Sequence, residues 1–236
     1  MDTDELVAAQ IAYYRARAGE YDGEVLRAIE EIPGYVDRFM SEKKQLEVWL
    51  EADPPTGHVL EIAAGSGNRT SQIVGSADRV TALDAAPEML ALLRAKHPTV
   101  ETIQADVFSW EPAQRYDNIF FGYWISHVPA ARWVAFWATV DQALAPGGRV
   151  WFMDNAHPDY ADANGPGDWP VAAGLRVADR VDDEVQTRTL LDGSEWTMVK
   201  RFWWPDQLEA ELADLGWHAE AGHTSFAFIH GIAERA

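Results

Sequence analysis

The chemistry open to this chain is set first by residues 59–67, Val-Leu-Glu-Ile-Ala-Ala-Gly-Ser-Gly. An apolar run carries one acid, Glu61, and then breaks into a tight turn holding Gly65 and Gly67. A buried parallel strand that hands over to a loop and helix in this way cradles a nucleoside. Glycine suits the turn because a Cβ would meet a ligand lying on the backbone, and because the turn calls for positive φ. The run 79–84 reads as the next strand and ends in Asp84, an acid suited to gripping a ribose diol. A dinucleotide fingerprint would place a third glycine three residues after Gly67, where Thr70 stands. Glu61 would repel a pyrophosphate but suits a cationic ligand that carries an amino group.

The combination resembles the class I S-adenosylmethionine-dependent methyltransferases, whose first motif is an acid followed by x-Gly-x-Gly-x-Gly. Ala63 stands at the first glycine of that motif and leaves less room beside the methionine part of the cofactor. The resemblance continues in the family's order. Asp84 falls at the ribose-binding acid, 104–107 (Gln-Ala-Asp-Val) at the end of the third strand, 116–121 at the fourth strand, and 144–150 at the turn and fifth strand. It implies S-adenosylmethionine as cofactor, with Glu61, Gly65, Gly67, Asp84 and Asp106 binding it and Met89 and Val107 sandwiching adenine. The Tyr-rich segment 13–22 resembles the stretch that closes over the cofactor in many small-molecule methyltransferases. That makes Tyr21 a cofactor contact, and Tyr13, Tyr14 and Arg17 candidates for the cofactor carboxylate or the acceptor. Two other classes stay open: an NAD-dependent oxidoreductase, and a protein of the same fold that binds the cofactor without methylating.

Methyl transfer from a sulfonium is an in-line displacement, so the protein must hold a nucleophile against the methyl carbon and exclude water. A base is needed where the nucleophile has a proton to lose. His127, in the segment 122–129 after the fourth strand, is the expected base, since imidazole titrates near neutrality. Tyr123 is expected on the cofactor and Trp124 on the acceptor. In the cluster 154–159, Asn155 and His157 are expected to orient the acceptor; holding a metal and capping a loop are the other readings, and no metal site is assigned. Trp169, Trp196, Trp203 and Trp204 either favour a planar or apolar acceptor or pin a lid to the domain.

These residues need a scaffold. Two amphipathic helices are expected at 4–18 and 36–52, so that residues 1–52 form a helical cover. Strand and helix then alternate, with helices at 68–77, 86–96 and 129–145, which calls for parallel strands and right-handed crossovers. Residues 155–174 read as loop, 185–203 as an antiparallel hairpin, 205–215 as a helix, and 217–222 and 224–231 as a last antiparallel pair. The fold class is thus α/β: a Rossmann-like, doubly wound sheet of seven strands with helices on both faces, in one domain, with a lid inserted over 155–204.

Composition narrows the partners. With 236 residues the chain has room for one sizeable core, and 38 acidic against 19 basic residues give a net charge of −19. Such a field repels nucleic acid and anionic membrane. The absence of cysteine excludes disulfides and thiolate chemistry. The acidic N-terminus lacks the features of a signal peptide, and no apolar run approaches a bilayer span. The expectation is a cytoplasmic monomer or homodimer acting on a small, aromatic or apolar metabolite at O, N or C.

Overall fold

The computed structural model describes residues 1–21, 35–165 and 184–236. Helix α1 (Thr3–Arg17) starts at a capping box in which Asp2 accepts from the Glu5 amide and Glu5 from the Asp2 amide. Helix α2 is Tyr35–Ala52. Strands β1 (His58–Ile62), β2 (Arg79–Asp84), β3 (Glu101–Gln104), β4 (Asn118–Gly122) and β5 (Arg149–Asn155) follow. They alternate with α3 (Thr70–Ile73), α4 (Pro87–Lys96) and α5 (Trp133–Ala143). After β5 come α6 (Pro158–Asn164), β6 (Val185–Thr189), β7 (Glu195–Val199), α7 (Pro205–Asp214), β8 (Trp217–His223) and β9 (Phe228–Arg235).

Seven strands form one sheet in the order β3-β2-β1-β4-β5-β9-β8, and β6 and β7 pair as a separate hairpin. β1 to β5 run parallel, whereas β9 is antiparallel to both neighbours. The expected architecture is therefore present. Apolar side chains on the two faces pack two cores. One holds the aromatic cluster Phe121, Phe136, Trp137, Trp203 and Trp217, and the other gathers Leu46, Leu50, Ile73, Leu93 and Trp151. The chain goes from β1 outward through β2 and β3, then returns to place β4 on the other side of β1. That reversal opens a crevice at the carboxyl ends of β1 and β4.

Four boundaries differ from the sequence expectation. The last strand, expected at 224–231, is found at Phe228–Arg235, because the amides of Phe226 and Ala227 donate to the Glu42 carboxylate instead of to a strand. The helix expected at 68–77 forms one turn, Thr70–Ile73. There the Ser76 hydroxyl bonds the Ile73 carbonyl (3.2 Å) and the Pro55 carbonyl (2.9 Å), so a side chain competes with helix propagation. Pro129 precedes a short 3₁₀ turn, Ala130–Arg132, and α5 begins only at Trp133. Within the expected loop 155–174, residues Pro158–Asn164 are helical, with Pro158 in the first turn. Residues 166–174, including Trp169, lie outside the described residues.

Candidate active site

The crevice is a partly open cleft lined mainly by apolar side chains with a few polar groups. It is built from the strand ends. β1 delivers Ala63 and Gly65, β2 delivers Asp84, and β4 delivers Tyr123 and Trp124, while Met89, Asp106 and Val107 stand on the next two elements. Tyr14 and Tyr21 close it from the N-terminal side, and His127 lines its inner end. Six sequence candidates lie elsewhere, among them Arg17, whose guanidinium stands over the Tyr21 ring at 4.8 Å. Tyr13 packs with Leu190 and Met198 between α1 and the hairpin. His157 accepts from the Asp159 amide (3.2 Å) as the cap of α6, and stacks on Trp204 at 4.8 Å. Asn155, Glu61 and Gly67 are also absent from the described lining.

The first loop explains its own sequence. Gly65 has φ +56° with open space where a Cβ would project. Gly67 has φ +83°, and its missing Cβ makes room for α4 rather than for a ligand, since that atom would lie 3.0 Å from Leu93 Cγ. His97 Nε2 lies 3.0 Å from the Gly67 carbonyl and braces the same turn. Ala63 also adopts a positive φ, +53°, which accounts for the family's preference for glycine there. Asp84 ties the loop together by accepting from the amides of Gly65 and Ala86, both at 2.8 Å. Burial raises its carboxyl pKa, against the pull of those amides.

Glu61 lies beneath this loop, 1% exposed, and accepts a 2.6 Å hydrogen bond from Thr70. The residue that breaks the dinucleotide fingerprint is therefore the acid's partner. Burial pushes the Glu61 pKa up to about 8, with Thr70 acting in the opposite direction. The folded chain then keeps a proton that the unfolded chain releases above pH about 4.5. Stability through this group falls as pH rises from about 4.5 to about 8 and is level beyond. Glu61→Gln should remove that slope, so that urea denaturation finds the variant ahead of wild type by a few kcal/mol at pH 8.5 and not at pH 4.5. Parallel pH profiles for the two proteins would refute the assignment.

At the inner end, His127 is 5% exposed and both of its ring nitrogens are engaged. Nδ1 lies 2.7 Å from the Val199 carbonyl and Nε2 3.0 Å from the Tyr14 hydroxyl. A carbonyl can only accept, so Nδ1 carries the proton and Nε2 accepts from Tyr14. Burial and the Lys200 ammonium push the His127 pKa down to about 3, although Asp154 pulls upward. Burial also raises the Tyr14 phenol well above its usual value. Gln10, which sequence reading missed, donates to the His127 carbonyl (3.1 Å) and accepts from the Val199 amide (3.0 Å). Beneath them Lys200 Nζ reaches Ser126 Oγ at 2.8 Å and Asp154 Oδ1 at 3.2 Å. Helix α1, the turn after β4, the end of β5 and the hairpin thus meet around one imidazole.

The tryptophans divide accordingly. Trp203 stacks on Trp133 at 4.8 Å inside the core, and Trp196 packs beside Tyr13 and Leu190, so both pin the hairpin to the domain. Among the described residues no group of three or more His, Cys, Asp or Glu could hold a metal ion, and no helix is long and apolar enough to cross a membrane.

The family described as "Methyltransferase domain" matches residues 59–148. A trans-aconitate 2-methyltransferase of Acidovorax ebreus (strain TPSY) is 31% identical over 125 residues, 49% of this chain and 46% of that protein. The namesake from Escherichia coli (strain K12 / DH10B) is 32% identical over 93 residues, 37% of each chain. The chain therefore spans less than half the length of these curated relatives. Among solved structures, the DhpI–SAH complex is 32% identical with a TM-score of 0.77, covering 100% of this chain and 99% of that one. The DhpI–SAM–HEP complex is 33% identical with a TM-score of 0.78, covering 99% and 100%.

Proposed function

The chain belongs to the class I S-adenosylmethionine-dependent methyltransferases, and on that premise we propose that it methylates an ionised oxygen of a small acid. The observation that carries this reading is the state of His127. Its imidazole is neutral, its Nε2 is committed to Tyr14, and its pKa of about 3 makes it a weak proton acceptor at neutral pH. A neutral alcohol would have to lose its proton to such a group. A carboxylate has none to lose. When bound, S-adenosylmethionine supplies an electrophilic methyl on cationic sulfur, and its transfer to an oxyanion cancels both charges. The trans-aconitate methyltransferases among the relatives, whose name specifies an acid, add support. Membership of the family removes the NAD-dependent alternative.

In this reading Asp84 takes the ribose diol, Asp106 the adenine amino group, and Met89 and Val107 the two faces of adenine. Ala63 and Gly65 leave the backbone open to the methionine part, and Tyr21 and Tyr123 close over it. Glu61 supplies a carboxyl beneath the loop whose ionisation a cationic ligand favours, and Gly67 lets α4 pack against that loop. Tyr14 and Trp124 face the acceptor. His127 positions Tyr14 by accepting a hydrogen bond from its hydroxyl, and the cover formed by α1 and the hairpin excludes water. His127→Ala and Tyr14→Phe should each slow turnover at least tenfold and change S-adenosylhomocysteine affinity less than threefold, because the pair acts as a unit. Equal losses in rate and cofactor affinity would count against that division of roles.

The test is incubation with S-adenosylmethionine and a panel of small carboxylic acids, phenols and amines, with products read by mass spectrometry. A base-labile methyl ester is the expected product. Methylation confined to amines or to alcohols that stay protonated at neutral pH would overturn the reading, as would cofactor binding with no methylated product.

A further inference from the structure

Tyr123 lines the cleft in a conformation that its surroundings have to enforce. Its φ is +58°, a genuine outlier for a bulky side chain. Its amide donates to the Met153 carbonyl at 2.6 Å, so the backbone stays tied to β5 as it turns. The ring meets Phe228 at 5.8 Å. Arg69 completes the grip: its guanidinium lies 4.8 Å from the ring centre, and Nη2 donates to the Tyr123 hydroxyl at 2.8 Å. Gly122 permits that approach, since a Cβ there would stand 3.1 Å from Arg69 Cγ.

Arg69 belongs to the loop that cradles the cofactor. It stands two residues after Gly67 and directly before Thr70, whose hydroxyl bonds Glu61 at 2.6 Å. Adjacent residues thus tie the loop in two directions, down to β1 through Thr70 and across to the turn after β4 through Arg69. Among the described residues no carboxylate pairs with Arg69, although the chain has 38 acids, and its polar partner is the phenol. A hydroxyl that accepts from a cation keeps its own proton to give, and becomes the stronger donor. Burial raises the Tyr123 pKa, against the pull of Arg69, so the phenol stays protonated. Among the described residues no acceptor lies within hydrogen-bonding distance for that proton.

We infer that Arg69 is a positioning residue for the methionine end of the cofactor, acting through Tyr123. It fixes the ring in its strained place and leaves the phenol proton for the cofactor's carboxylate. The inference rests on the part of the proposed function that puts Tyr123 over that end of the cofactor, and not on the acceptor's being an acid.

The experiment compares two ligands by calorimetry on the full chain: S-adenosylhomocysteine, and methylthioadenosine, which keeps the adenosine and lacks the amino-acid end. Arg69→Met and Tyr123→Phe should each weaken S-adenosylhomocysteine at least fivefold and methylthioadenosine less than twofold. A merely structural loss would weaken both. The double variant should lose no more than twofold beyond either single variant, because both changes break one contact. Arg69→Lys keeps a stem and a charge without the planar fork; it should show the same split at a loss of at least twofold, and it decides the matter if Arg69→Met does not fold. The inference is overturned if these losses fall short, if the two ligands weaken equally, or if the single losses multiply in the double variant. The expected split in a protein that forms no methyl ester would keep the inference and refute only the proposed acceptor. Wild type that binds neither ligand would overturn both.

Discussion

Lys200→Met is expected to destabilise the chain by about 3–5 kcal/mol, the range found when one partner of a buried ion pair is removed. Lys200 is 4% exposed and Asp154 is 0% exposed. Asp154 already accepts from the Ser126 amide (3.0 Å), the Ser126 hydroxyl (2.9 Å) and the Asn155 amide (2.7 Å), so its charge is well solvated by donors. Lys200 supplies the compensating positive charge and donates to the Ser126 hydroxyl, which in turn donates to Asp154. Methionine fills the stem's volume and leaves the carboxylate buried without its cation. Combining Lys200→Met with Asp154→Asn should restore part of the loss, since the second change removes the stranded charge. Urea denaturation of the two single variants and the double variant reads this directly. A loss below about 1 kcal/mol for Lys200→Met, or simple additivity in the double variant, would show that the pair is not coupled as described.

Asp84→Ala is expected to weaken S-adenosylhomocysteine binding at least a hundredfold, about 3 kcal/mol. The carboxylate has two tasks. Its oxygens hold the amides of Gly65 and Ala86, both at 2.8 Å, and so fix the loop against which the cofactor lies. The same group lines the crevice where a ribose diol would be gripped. Alanine removes both tasks. Asparagine keeps one acceptor oxygen and should fall between alanine and wild type. Calorimetry checks the order, and an alanine variant within threefold of wild type would refute the assignment of Asp84 to the cofactor.

The parts of this site that sequence made legible are those whose signal is local. An acid and two glycines within seven residues mark a turn whose backbone geometry few other residues tolerate, and Gly65 and Gly67 do adopt positive φ. Asp84 was legible for the same reason, as the polar end of an apolar strand. What stayed hidden depends on distant partners. Gln10 reads as an ordinary polar residue of an amphipathic helix, yet it bonds the amide of Val199, 189 positions away. The imidazole of His127 reads as a base because its neighbours in sequence say nothing of its burial, which chiefly suppresses its protonation, or of Lys200, which adds to that effect from 73 positions away. His157 reads as a ligand-orienting group, although Pro158 beside it already signals a helix start, and its ring serves as that helix's cap.

Proton balance tests the central claim most directly. With purified enzyme in weak buffer at pH 7.5, an indicator dye follows protons while S-adenosylhomocysteine is counted in the same reaction, with the methyl ester confirmed as product. Transfer to an oxygen that arrives already ionised releases no proton, and the ratio of protons to S-adenosylhomocysteine should be close to zero. A ratio of one would mean that the nucleophile loses a proton on the enzyme, and that the neutral His127–Tyr14 pair, or another group, serves as its base after all.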